Sequence, residues 1–193
     1  MKTQFTKPTL IVELSQETFQ TFINRPYISS ELRERLSGAN VLLIPNEGYG
    51  GKKELVYFPS GTAELFHFLE ERKTENLNVD ICIEEKDYKE VALHFDWLML
   101  ASFVVTSLVA PLIVNLLTEY IKKRQGKREP DTIVKHTLVV CDEKEGRYVC
   151  LSYEGPAPKY HDTMLNAISN LNHPTTPLLS AKSERKRRAK KKR

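Results

Sequence analysis

The sequence predicts an α+β N-terminal domain with a mixed or antiparallel sheet, one central transmembrane helix, and a small ββα C-terminal unit with a disordered basic tail. Three observations predict it. Leu98–Leu117 (LMLASFVVTSLVAPLIVNLL) is a run of 20 residues without Asp, Glu, Lys or Arg in a 193-residue chain that is otherwise polar. The charge changes sign across it: residues 1–96 carry 11 Lys and Arg against 16 Asp and Glu, and residues 119–193 carry 18 against 9. Short strand and helix signals alternate on both sides of it. The expected boundaries are 1–94 for the acidic domain, 95–124 for the transmembrane helix and its flanks, 131–172 for a β-hairpin plus helix, and 173–193 for the tail.

The N-terminal elements follow from local pattern. TLIVEL (Thr9–Leu14) is β-branched and half apolar, as a strand is. The stretch MKTQFTKPTLIVEL lacks the form of a signal peptide, because its apolar segment is short and meets Glu13. A short helix runs from a Ser15 cap to about Asn24, with Phe19, Phe22 and Ile23 on one side; Arg25-Pro26 ends it. Ser29 or Ser30 caps a second helix, ELRERLSG, and Gly38 suits a left-handed C-terminal cap. NVLLIP and ELVYF are strands, AELFHFLEERK is a helix, and VDICI and KEVALH are strands around an EEKD turn.

The central run at about 1.5 Å per residue spans roughly 30 Å, the thickness of a bilayer's hydrocarbon core. Leu98, Pro111 and Leu117 lie within the expected span. Trp97, Tyr120, Lys122, Lys123 and Arg124 flank it as aromatic anchors and a basic stop. Pro111 kinks such a helix or turns a re-entrant hairpin; the remaining alternative is a buried core helix. Ala101, Ser102, Ser107, Ala110 and Asn115 offer helix–helix contacts, hence a homo-oligomer.

Beyond the run, Gly126 and Pro130 break the chain. TIVKHTLVVC and RYVCLSY then read as a hairpin with Gly146 in its turn, and HDTMLNAISNL as an amphipathic helix. Such a unit is too small to be stable alone and needs a partner surface. Cys82, Cys141 and Cys150 have no metal spacing and read as free thiols. The tail holds Arg185, Lys186, Arg187, Arg188, Lys190, Lys191, Lys192 and Arg193, a charge run that contacts anionic headgroups or nucleic-acid phosphates.

No catalytic constellation, metal site or cofactor motif emerges. The glycine loop of Gly48, Gly50, Gly51, Lys52 and Lys53 has the composition of a phosphate cradle. It lacks GxxxxGK[ST] spacing and a following helix N-terminus, and a flexible hairpin loop is the simpler reading. His67 reads as a core or rim histidine and His94 as an interfacial one. Glu84, Glu85 and Asp87 read as a solvated turn.

Six Lys and Arg in residues 119–138, against two in 78–97, orient the C-terminus to the cytoplasm of a cell (inner) membrane. The expected function is a membrane-anchored, non-enzymatic recognition protein, sensor or effector. Its layout resembles that of small single-helix effectors and sensors of bacterial defence and stress systems, though no motif carries the likeness. The alternative is a peripheral nucleic-acid-associated protein using the basic tail, with the apolar run as an oligomer core. A membrane-tethered enzyme built on the glycine loop is a third reading.

Overall fold

The computed structural model describes residues 7–49, 52–92, 97–125, 132–142 and 145–172. In chain order, these residues form β1 (Thr9–Ser15), α1 (Phe19–Ile23), α2 (Ser30–Leu36), β2 (Val41–Ile44), β3 (Asn46–Tyr49) and β4 (Lys52–Pro59). There follow α3 (Thr62–Glu70), β5 (Val79–Ile81), a 3₁₀ turn (Glu85–Asp87), β6 (Glu90–Val91), β7 (Trp97–Met99) and β8 (Ser102–Thr106). The last elements are α4 (Ala110–Gln125), β9 (Ile133–Asp142), β10 (Arg147–Pro156) and α5 (Ala157–Asn172).

The caps set the first helices. Thr18, not Ser15, opens α1, in a reciprocal box with Thr21. The Ser29 hydroxyl accepts from the Leu32 N–H and opens α2. Gly38 does not take the expected left-handed conformation; among the described residues the glycines with positive φ are Gly48, Gly61 and Gly146. KEVALH yields only the two-residue β6, and His94 lies outside the described residues.

A mixed sheet carries the order β1-β10-β9-β8-β2-β5, with β7 also on β9. Strands β7 and β8 lie in line along the same partner. Met99 faces Lys135 and Phe103 faces Leu138, so four steps on this side match three on β9. Leu100 and Ala101 absorb the extra residue as a bulge. Strand β8 runs parallel to β9 and antiparallel to β2, and β2 runs parallel to β5. The hairpin β9–β10 turns through Gly146 at φ 61°. It sits between β8 and β1, so strands from both sides of the apolar run share one sheet.

Two layers cover the sheet. On one face Val41, Leu43, Phe103, Val105, Leu138, Val140, Val149 and Leu151 pack against Leu65, Phe68 and Leu69 of α3, Ile113, Val114 and Leu117 of α4, and Tyr160, Met164 and Ile168 of α5. On the other, Leu42, Ile44, Val104 and Val139 pack against Phe22, Ile23, Leu32 and Leu36 of the first two helices.

This arrangement overturns the expected transmembrane helix. The run Leu98–Leu117 is a strand, a bulge, a second strand, a turn and the first half of a helix. Phe103, Val104 and Val105 are fully buried between two helical layers, and strands covered on both faces read as continuous apolar runs. Helix α4 has 16 residues, about 24 Å at 1.5 Å per residue. No helix among the described residues is long and apolar enough to cross a membrane. The single-pass topology, and the cell-membrane location and cytoplasmic C-terminus derived from it, lose their basis.

The residues assigned to the span have other work. Leu98 pairs with Val134 in the sheet. Pro111 is the second residue of α4, in the first turn, where a backbone N–H has no helical partner to lose; it starts the helix and kinks nothing. Leu117 is fully buried on a stripe with Ala110, Ile113, Val114, Tyr120 and Ile121. Leu112, Asn115 and Glu119 form the exposed face of the same helix. Truncating Leu117→Ala is expected to cost about 2–5 kcal/mol in urea unfolding, while Leu112→Lys stays within about 0.5 kcal/mol of the parent. A helix buried all round in lipid would be damaged by both.

A candidate ligand cleft between α3 and the β5 edge

The expected membrane flanks join α4 to α3 instead. The Tyr120 side chain is 1% exposed and its hydroxyl donates to the Gly61 carbonyl at 3.1 Å. The Arg124 guanidinium donates to Glu64 at 2.6 Å, and the Lys123 ammonium lies 5.8 Å from the Phe68 ring centre. Lys122 is exposed. Trp97 lies under the Lys135 ammonium, 3.7 Å from its ring centre. Aromatic residues beside basic ones were the signal for a membrane interface, and here they are cation–π contacts within one fold.

The described part of the glycine loop lies at the facing ends of β3 and β4. Tyr49 faces Lys52 across it, and Gly48 sits at φ 81° where the register shifts. Lys52 and Lys53 belong to β4. Gly50, Gly51 and the tail residues Arg185–Arg193 lie outside the described residues.

The larger concavity was not anticipated. It measures about 600 Å³ and lies beside the β5 edge. Ala63, Phe66, His67, Glu70 and Lys73 line it from α3 and its end, Asp80, Ile81, Glu84, Glu85 and Tyr88 from β5 and the segment after it, and Arg35 from α2. Helical spacing places Ala63, Phe66 and Glu70 on one face of α3. The opposite wall is fixed by its own bonds. The Ser29 hydroxyl, which caps α2, donates to Glu84. Tyr88 stacks on Phe58 at 5.3 Å and donates to Glu90 at 2.6 Å.

Glu90 also holds the start of α3. Its two oxygens accept from the Gly61 and Ala63 N–H groups, each at 2.8 Å. Burial works against its charge, but the Tyr88 hydroxyl and these N–H groups outweigh that and hold its carboxyl below the usual range. Gly61 is required at the junction. Its φ is +89°, and a Cβ there would lie 2.8 Å from the Arg124 guanidinium. The helix terminus is thus closed by a carboxylate of the same chain, leaving the cleft walls as the open surface.

The cations of the cleft are already paired. Arg35 binds Asp80 at 3.0 Å and Lys73 binds Glu70 at 3.3 Å. Glu84 and Glu85 form no ion pair among the described residues. The cleft therefore has the rings of Phe66, His67 and Tyr88, the apolar side chains of Val79, Ile81 and Ile83, and surplus negative charge among its lining residues. Glu85 and Asp87 are exposed on the 3₁₀ turn, as a solvated turn predicts, and Glu84 and Glu85 also line the cleft across from α3.

A second polar feature is buried under α5. His136 is 3% exposed, and its Nδ1 lies 2.7 Å from the Tyr160 hydroxyl. Its Nε2 has no hydrogen-bond partner among the described residues. Phe103 meets it edge-on, and Tyr153 packs edge-on against Tyr160. Burial pushes the imidazole down to about 3, so it is neutral in the fold; it shares the lining of a smaller concavity with the hydroxyl residues Ser102, Thr137 and Ser152. All three cysteines are free. The register sets Cys141 opposite Tyr148 and Cys150 opposite Val139, so these two thiols are offset diagonally. No cluster of metal-ligating side chains occurs among the described residues.

His136 makes stability depend on pH. Above the unfolded imidazole's value near 6.5 both states are neutral and the group is silent. Below it the unfolded chain takes up a proton that the fold excludes, so stability falls towards the folded value of about 3. Urea unfolding is expected to lose about 2 kcal/mol from this group between pH 7 and pH 5, and His136→Gln should remove that slope.

No protein-family model, curated protein or solved structure matches this chain.

Proposed function

We propose that this protein is a non-enzymatic recognition domain that binds a cationic group with an apolar stem, such as a Lys or Arg side chain of a basic peptide, between α3 and β5. The observation that carries this reading is the charge balance of the cleft. Arg35 and Lys73 are each held by an acid, while Glu84 and Glu85 line the cleft without a cation partner among the described residues. The guanidinium or ammonium of a ligand would sit at these carboxylates, and its methylenes would lie on Phe66 and Ile81. Calorimetric titration with hexa-lysine and hexa-glutamate peptides tests it. Hexa-lysine should bind and hexa-glutamate should not. The double variant Glu84→Gln/Glu85→Gln, which keeps an acceptor for Ser29, should weaken binding about tenfold, or about 1.4 kcal/mol. Unchanged hexa-lysine affinity in that variant would refute the reading.

A second reading concerns polyanions and rests on sequence: residues 182–193 hold nine Lys and Arg against one Glu. Contact with nucleic-acid phosphates through this run would be insensitive to sequence. The logarithm of affinity would fall linearly with the logarithm of salt concentration, by about 0.9 per duplex phosphate neutralised. A chain ending at Asn172 should lose this binding and its salt slope, while hexa-lysine binding persists.

A further inference from the structure

Strand β1 ends one side of the sheet, and among the described residues nothing pairs with its outer edge. It is seven residues long, is held to β10 along its whole length, and carries apolar side chains on both faces. Leu14 is 54% exposed, Ile11 53% and Val12 36%. An open edge of this length is a template for another strand, and proteins usually blunt one with inward lysines, a proline, a bulge or a short run. The opposite edge, β5, has three residues, and Arg35 binds its Asp80. In β1 the ladder is regular from Thr9 to Ser15. Pro8 lies outside it, and a Cβ added to Gly155 would come within 2.7 Å of the Pro8 Cα, so this close approach fixes where the strand begins.

The side-chain pattern of the edge is self-complementary. With a two-fold axis through Val12, an antiparallel copy places Val12 opposite Val12, and Leu10 opposite Leu14 on the same face. On the other face Ile11 lies opposite Glu13 and Thr9 opposite Ser15. Just beyond the strand Lys7 meets Glu17. No like charges face each other, and the three apolar pairs share one side. An axis at Glu13 would put two carboxylates face to face, and an axis at Ile11 would draw Pro8 into the ladder.

We propose that β1 is a self-association edge, on which a second copy of this chain pairs antiparallel about Val12 and makes one sheet continuous through two protomers. An interface made mainly by one strand falls at the small end for protein association, so the dimer is reversible and concentration-dependent.

Sedimentation equilibrium from low micromolar to several hundred micromolar full-length protein tests this. The parent should pass from monomer to dimer. Val12→Lys, which sets two ammonium groups against each other on the axis at an exposed site, should raise the dissociation constant about tenfold or more. A second readout does not depend on that variant folding. Val12→Cys should form an intermolecular disulfide under mild oxidation beyond the parent's background, because residues opposite each other fall within disulfide reach. Leu14→Cys should not, because it faces Leu10 of the other copy. A parent that stays monomeric throughout, a Val12→Lys chain that dimerises like the parent, or a cross-link through Leu14→Cys in place of Val12→Cys would each overturn the proposal.

Discussion

The fold depends on where the apolar run is buried. Strand β8 occupies an interior position of the sheet, between β9 and β2, with helices on both faces. Phe103 and Val105 contribute to one core and Val104 to the other. The chain then turns through Thr106–Val109 and lays α4 back over the same sheet. The Val109 N–H bonds the Thr106 carbonyl, and the Ile113 N–H bonds the Val109 carbonyl to open the helix. One segment therefore supplies a central strand and the helix covering it, and the parallel β8–β9 pair requires such a crossover. Removing either half would expose the other.

Much of the secondary structure was legible because it is local. TLIVEL is β-branched and half apolar and borders a turn, and Ser29 stands before an apolar-periodic helix. The β9–β10 hairpin announces itself through two β-branched runs and Gly146. The central run was misread because the cue separating its parts is weak. Strand β8 is apolar on both sides because both sides are covered. The first turn of α4 is apolar because Ala110, Ile113 and Val114 face the core. Joined end to end, they mimic one helix without a polar face. The dividing marks are short: the hydroxyls Thr106 and Ser107, then Pro111 four residues later, which is how a helix begins. In a continuous span Pro111 could only kink the helix or turn a hairpin, whereas its position in the first turn of α4 makes it a start signal.

The candidate cleft was illegible for a different reason. Its walls are separated in sequence and meet only when β2 and β5 pair in parallel, which carries α3 across to lie beside the 3₁₀ turn. Nothing in EEKDY shows that Phe66 and Glu70 will stand opposite. Glu90 gives the same lesson at one residue: a carboxylate in an unremarkable strand closes a helix start 27 residues earlier in the chain. Composition reports that an acid is present, and tertiary pairing decides whether it caps a helix or faces a ligand.

The charge split acquires a different meaning within one body. The basic residues at the end of α4 seemed to orient a membrane helix, yet Arg124 is paired with Glu64, and Glu119 of the same helix is paired with Arg72 of the preceding segment. Residues 119–172 carry nine Lys and Arg against eight Asp and Glu, so that stretch is close to neutral. Residues 173–193 carry nine against one, and the first 96 carry 11 against 16. The positive balance of the C-terminal half is therefore almost entirely the tail, attached to a body whose own balance is acidic. The basic side of the charge asymmetry is therefore a property of the last 21 residues, and Arg124, one of the helix-end cations that resembled a membrane stop, is paired within the fold.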